Sequence, residues 1–365
     1  MAKGEAFRQR ALMYKKTTMF PLFLATVLLL LPAAANAKKK DKAASETGEV
    51  TGTPILWREP TDITSRNLIY GPGGTEHQPH GTFTFVKEDM EGTNPKFIVR
   101  GEDGVKWKLK LGSEAKPETV ATRMLWAAGY FVGEDYFLPD VQVKNMPRHL
   151  HRGQKLVEPD GTMHDVRLKR YLEGEKKVGI WEWRNNPFTG TREFNGLRVL
   201  MAVINNWDLK DANNAIHREK SQELVYMVSD LGASFGTTGY ERSHEKAKGN
   251  LDSYTKSKFI LKTNDDFVDF DDPHRPAGIL VANPREFASR LNMEWIGKHI
   301  PRADAQWMGH LLAKLSPEQI HDAFRSAGYG PEDVEGFSAI LQSRIDELNK
   351  LQKPGLADLL KNLFY

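Results

Sequence analysis

The chain has 365 residues, with 51 Lys and Arg against 48 Asp and Glu, a formal net charge of +3 and no cysteine. Five basic residues and one acidic residue fall within the first 37, so the remainder carries about −1 and lacks the basic surplus of a nucleic-acid or anionic-lipid binder. Without cysteine there are no disulfides, no cysteine acylation and no thiolate metal site, and the core alone must hold the fold.

Lys15 and Lys16 precede an apolar run over 19–32, which leads to Ala35-Asn36-Ala37. A charged start, an apolar middle and a small-x-small end make a secretory signal peptide, predicted to be cleaved after Ala37. The run is shorter than the roughly 20 apolar residues of a spanning helix and is broken by Pro21 and Pro32. A signal peptide is therefore favoured over a retained anchor. The expected protein is exported, periplasmic or extracellular, and has no stable membrane span after cleavage.

Residues 38–54 are polar and aperiodic, which predicts a flexible linker. The segments FTFV, KFIVR and VKWKLKL within 81–112 predict strands, with GEDG at 101–104 as a hairpin turn. In the last of these strands Val105, Trp107, Leu109 and Leu111 share one side and Lys106, Lys108 and Lys110 the other. Pro117 opens a helix that runs to about Ala128 and stops at Gly129. Further strands are expected near 138–144 and 164–172, and a helix over 192–205 with Leu197, Leu200, Met201 and Ile204 in one stripe. Beyond Pro284 the pattern is helical over 284–298, 302–314, 316–327 and 331–351. A β-rich part followed by a helix-rich part predicts an α+β bilobal fold, with a β-rich lobe over 55–145 and a helical lobe over 146–365.

The stretch after the 192–205 helix carries the chemistry. Asp208, Lys210 and Asn213 form D-x-K-x-x-N, and seventeen residues beyond Asn213 an apolar strand ends in Asp230-Leu231-Gly232. The residues between, NAIHREKSQELVYMV, predict a hairpin. Phosphoryl transfer needs positioning and charge neutralisation more than covalent chemistry. One carboxylate can take the acceptor proton, a lysine can neutralise the moving group, and an Asn with a second Asp offers hard oxygen ligands to Mg²⁺.

This pairing resembles the catalytic loop and D-F-G element of the protein-kinase-like superfamily. Within it, the divergent branches are the nearer match: HipA-type toxin kinases, phosphoinositide kinases, and secreted kinases of the Golgi lumen and spore coat. The resemblance implies Asp208 as catalytic base, Lys210 as phosphoryl contact, and Asn213 and Asp230 as ligands of Mg²⁺ or Mn²⁺. It also implies a phosphate-holding lysine on the third strand, Lys110 with Lys108 as the alternative, and a partner glutamate, Glu118 with Glu114 in reserve. The loop 88–96 would cover the phosphates, although it has a single glycine, and Asn206-Trp207 stands where ordinary protein kinases have His-Arg. An ATP-dependent phosphotransferase acting on a hydroxyl of a protein, glycan or lipid is expected. A variant would transfer the nucleotidyl group instead, and the alternative is an inactive kinase-like scaffold of the cell envelope.

Other stretches receive plainer readings. His149 and His151 read as a polar loop, and 264–273 (NDDFVDFDDP) as a solvated activation-segment-like loop. The segment WEWRNNPF at 181–188 reads as packing below the catalytic loop, and Phe337, Ile340, Leu341, Ile345 and Leu348 as helical core.

Overall fold

The computed structural model describes residues 51–351, apart from 93, 173, 219–220, 238–247 and 276–277. The expected signal peptide, most of the linker and the last residues of the helical lobe lie outside this range.

Five strands close into a barrel: β2 (Phe83–Glu88), β3 (Lys96–Arg100), β4 (Lys106–Lys110), β5 (Asp135–Lys144) and β6 (Thr162–Arg170), in the order β2-β3-β4-β6-β5. Every neighbouring pair is antiparallel except β2 with β5, whose parallel pairing seals the barrel and leaves no free edge there. Strand alternation decides what fills it. Trp107 and Leu109, with Leu111 just past β4, join Phe83, Phe97, Val99, Val141, Val166 and Leu168 in an apolar core of the barrel's own. Because β6 pairs with both β4 and β5, the barrel continues through Arg170, past the boundary expected at 145.

Helix α1 (Ala115–Ala127) follows β4. Pro117 sits in its first turn, where its missing N–H costs nothing. Gly129 ends it at a φ of +89°, and a β-carbon there would lie 2.3 Å from the Arg58 carbonyl oxygen, so only glycine fits. One face of α1 sends Val120, Met124 and Leu125 into the large core of the rest of the chain.

After β6 the chain passes through β7 (Lys176–Gly179) to helix α2 (Arg192–Val203). Thr191 caps α2 by accepting a hydrogen bond from the Phe194 amide at 3.2 Å, a contact worth about 1 kcal/mol. The expected hairpin is present as β8 (Asn214–Arg218) and β9 (Glu223–Val228). Its outer edge pairs in parallel with β1 (Thr53–Ile55), so Thr53 and Pro54, expected in the linker, instead cover unpaired backbone groups of β9.

Helices 284–293, 302–312, 317–325 and 331–349 complete the C-terminal part. Phe235, Tyr254, Phe324 and Phe337 form an aromatic cluster at its centre, and Leu341, Ile345 and Leu348 pack with it. The fold is thus α+β, with sheets in the N-terminal part and helices in the C-terminal part. Among the described residues no helix is long and apolar enough to cross a membrane.

One sequence expectation fails here. The stretch 264–273 is not a solvated loop, because β10 (Ile260–Thr263), β11 (Phe267–Phe270) and β12 (Ile300–Pro301) form a small antiparallel sheet across it. Val268 and Phe270 are fully buried and Asp272 nearly so. The dense acid composition masked an alternating strand pattern, in which Phe267, Val268 and Phe270 supply the apolar contacts.

Candidate active site

Lys110 ends β4 and is 3% exposed. Its Nζ lies 2.7 Å from Glu118 Oε2 on α1, 2.5 Å from Glu114 Oε2 and 3.2 Å from Asp230 Oδ1. Burial alone would push this ammonium's pKa down, but Glu118, Asp230 and Glu114 together hold it above the ordinary lysine value. Glu114 is therefore a partner alongside Glu118, the consequence of a helix whose first turn begins directly after the strand. Lys108 is placed differently: its Nζ pairs with Asp89 Oδ2 at 2.8 Å, in the loop between β2 and β3.

A chain of buried charges extends from Glu118 into the barrel wall. Arg167 on β6 reaches Glu118 Oε1 at 3.2 Å and Asp135 Oδ2 at 2.5 Å, and Arg123 on α1 meets Asp135 Oδ1 at 3.0 Å. Arg123 and Asp135 have no exposed side-chain surface, and Arg123 also donates to the Asp135 and Leu68 carbonyls. Each charge is thus met by an opposite one with directed hydrogen bonds, the condition under which buried ions are tolerated.

The second wall is built by the loop after α2 and by the end of β9. The Asn213 carbonyl accepts from the Ser229 amide at 2.8 Å, the Ser229 hydroxyl at 3.0 Å and the Asp230 amide at 3.2 Å. Asn213 Nδ2 in turn donates to the Asp208 carbonyl at 2.7 Å, and the Asp208 amide donates to Asn206 Oδ1 at 3.0 Å. Trp207 donates its amide to the Ala233 carbonyl at 3.1 Å, just beyond the D-L-G. From below, the Trp183 amide donates to Asp211 Oδ1 at 2.9 Å, and Asn214 Nδ2 donates to the Trp181 carbonyl at 3.1 Å. The packing role read for 181–188 is thus a direct hold on the loop.

Gly232 brings the D-L-G against α1. A β-carbon there would stand 2.6 Å from Glu114 Cβ, so the approach is open to glycine alone. The Asp230 carboxyl would be raised by its burial, but Lys110 and then Lys96 hold it well below the usual carboxylate range.

Between the walls lies a cleft of about 400 Å³, lined among others by Lys96, Lys108, Lys110, Glu118, Arg167, Asn213 and Asp230. Lys210 faces elsewhere. Its Nζ pairs with Asp208 Oδ1 at 2.6 Å, which outweighs the effect of burial and raises its pKa, and its side chain lines a neighbouring cavity of about 420 Å³ with Arg184, Ser289 and Asn292. A roomier cavity of about 560 Å³ beside Pro117 and Tyr329 contains none of the candidate residues.

Three carboxylates, from Glu114, Glu118 and Asp230, have oxygens within 4.8 Å of one another. The Lys110 ammonium is paired to all three, so the triad already has its cation. The position suited to a divalent ion is on the cleft side, where Asp230 and Asn213 both face the cavity. With Nδ2 of Asn213 committed to Asp208, its amide oxygen is the atom left for a cation. A carboxylate and an amide oxygen are donors that Mg²⁺ or Mn²⁺ accepts.

Sequence reasoning missed Lys96, Arg167 and Arg290. The first two reach the cleft only through barrel register. Arg290, on the 284–293 helix and fully buried, lies with its guanidinium 4.5 Å from the Trp207 ring centre and its Nε 2.9 Å from Glu286 Oε1. It thereby buttresses the residue before Asp208 from a distant helix, and no local pattern signals that.

No protein-family model matches the chain, and no curated protein matches it. Among solved structures, the chain is similar to a Helicobacter pylori proinflammatory kinase, CtkA, at 12% identity and a TM-score of 0.41, over 75% of this chain and 98% of that one. It is also similar to the Golgi casein kinase, at 10% identity and a TM-score of 0.31 over 75% of this chain and 73% of that one. A form of the Golgi casein kinase with Mn and ADP bound gives 10% and 0.33 over 76% and 75%. The chain's own geometry sets a strand lysine, paired with a helix glutamate, opposite a D-x-K-x-x-N loop clasped to a D-L-G.

Proposed function

We propose that this chain is an exported phosphotransferase that moves a phosphoryl group from ATP to a hydroxyl acceptor, assisted by Mg²⁺ or Mn²⁺ at Asp230 and Asn213. The observation that carries this reading is Lys110, 3% exposed and paired to Glu118, in the lining of a cleft to which Asn213 and Asp230 also contribute. Burying a lysine among carboxylates is costly, and a structural strand would place an apolar residue there.

In this reading Lys110, held charged and immobile by Glu118 and Glu114, meets the phosphates as they enter. The divalent ion would supply charge neutralisation for the phosphate oxygens. Asp208 accepts the proton of the acceptor hydroxyl as its oxygen bonds to the terminal phosphorus and the bond to the leaving ADP breaks. Lys210, 2.6 Å from Asp208, keeps that carboxylate oriented. The acceptor is a hydroxyl of a protein, glycan or lipid.

The test is the thermal midpoint of the protein with and without ATP and Mg²⁺, alongside Asp230→Ala. A ligand at 100 times its Kd stabilises the native state by about 2.7 kcal/mol. Wild type is expected to shift only when metal is present, and the variant not at all. If no nucleotide shifts wild type, the catalytic reading gives way to that of a kinase-like scaffold.

A further inference from the structure

Strand β3 opens on Lys96, which the register sets directly opposite Lys110 on β4. Like charges facing each other across neighbouring strands repel. For Lys110 three carboxylates offset that repulsion. No carboxylate of the described residues pairs with Lys96, whose side chain lines the cleft and senses Lys110, Asp230 and Glu118. Burial first, and then the neighbouring Lys110, hold its pKa below the usual lysine value. Asp230 and Glu118 act on this ammonium from a distance, and a half-buried ammonium with no carboxylate in contact is placed to receive an anion.

The covering loop gives a side chain room to do this work. A glycine-rich loop meets phosphates with backbone amides, but this loop has a single glycine and two of its amides are spent internally. The Asp89 amide donates to the Lys96 carbonyl at 2.8 Å, and the Glu91 amide donates to Asp89 Oδ1 at 3.0 Å. Lys96 Nζ fills the space beneath the loop's glycine, 3.3 Å from where a β-carbon on Gly92 would stand.

Building on the nucleotide reading, we propose that Lys96 binds the terminal phosphates of a nucleoside di- or triphosphate, in place of glycine-rich-loop amides. The two lysines then share the anion: Lys110 from a fixed ion network, Lys96 from an unpaired position under the loop.

The experiment measures Kd for ATP, ADP and AMP, each with Mg²⁺, by calorimetry on wild type, Lys96→Gln and Lys96→Arg, with thermal midpoints as the check on folding. A lost charge-assisted hydrogen bond predicts that Lys96→Gln binds ATP and ADP about 10- to 100-fold more weakly. AMP binding should change less than about twofold, and Lys96→Arg should recover much of the ATP affinity, because a single guanidinium bond suffices. ATP affinity in Lys96→Gln within about twofold of wild type overturns the proposal, as does an equal loss for all three nucleotides, which would place Lys96 against the nucleoside. Should wild type bind no nucleotide at all, the functional reading itself falls and this assignment with it.

Discussion

Lys110 on the barrel wall is 3% exposed and has three carboxylates around it, whereas Lys210 on the catalytic loop is 44% exposed and has one. The difference extends to their surroundings. On the barrel side the residues are fixed by one another's charge, through Arg123, Asp135, Arg167 and Glu118. On the loop side the main chains of Asp208 and Asp230 are fixed by hydrogen bonds centred on Asn213, and each carboxylate has a single lysine partner, Lys210 and Lys110 respectively. In the proposed reading, the barrel wall thus links the nucleotide grip to stability, whereas the loop wall separates the two.

The severest way to test that contrast is Asp135→Ala, which leaves Arg123 and Arg167 buried without their shared carboxylate. Breaking a buried ion network by removing one partner costs about 3–5 kcal/mol, so urea denaturation should show a loss of that size. A loss below about 1 kcal/mol would show that water reaches the network and that the barrel wall is no more rigid than a surface salt bridge.

A second test asks whether the helical side also hides charge. Asp272 is buried, neither carboxylate oxygen has a hydrogen-bond partner, and its pKa is pushed well up, by burial first and then by Asp271, against Arg344, Arg290 and Lys298. The folded protein therefore holds the Asp272 proton more tightly than the unfolded chain. Stability from this group is present at low pH and is lost as pH rises from about 4 towards the folded value. Asp272→Asn should melt above wild type at pH 8, with the gap closing towards pH 4. A gap independent of pH would mean that Asp272 binds its proton equally well in the folded and the unfolded chain.

The smallest expected change in stability comes from Asp208→Asn. Its ion pair with Lys210 is partly exposed, and such pairs contribute about 0–1 kcal/mol. The melting curve should barely move and the ATP–Mg²⁺ shift should survive, while phosphoryl transfer falls about 10²- to 10⁴-fold in a radiolabelled-ATP assay. Loss of nucleotide binding in this variant would erase the distinction between the walls.

Local patterns made much of this legible. Alternation in VKWKLKL marked β4 and its two faces, and Pro117 and Gly129 bracketed α1. The apolar stripe of 192–205 and the strand before the D-L-G placed both loops. What stayed hidden depends on pairing across long stretches of chain. Arg167 enters the network because β6 pairs with β4, Lys96 faces the cleft because of its register with Lys110, and Arg290 meets Trp207 from a helix some 80 residues away. The 264–273 stretch misled because its aspartates outnumber the apolar residues that bury it. Glu114 was readable as a candidate, but its sharing of Lys110 with Glu118 depends on the turn geometry after β4.

The Asn213 carbonyl receives three donors from Ser229 and Asp230, while its Nδ2 donates to the Asp208 carbonyl, so one residue is the hinge pin to which the main chains of both aspartates are tied. The barrel meets that pinned unit through the 3.2 Å contact between Lys110 and Asp230, the width that a phosphate chain bound there would have to span.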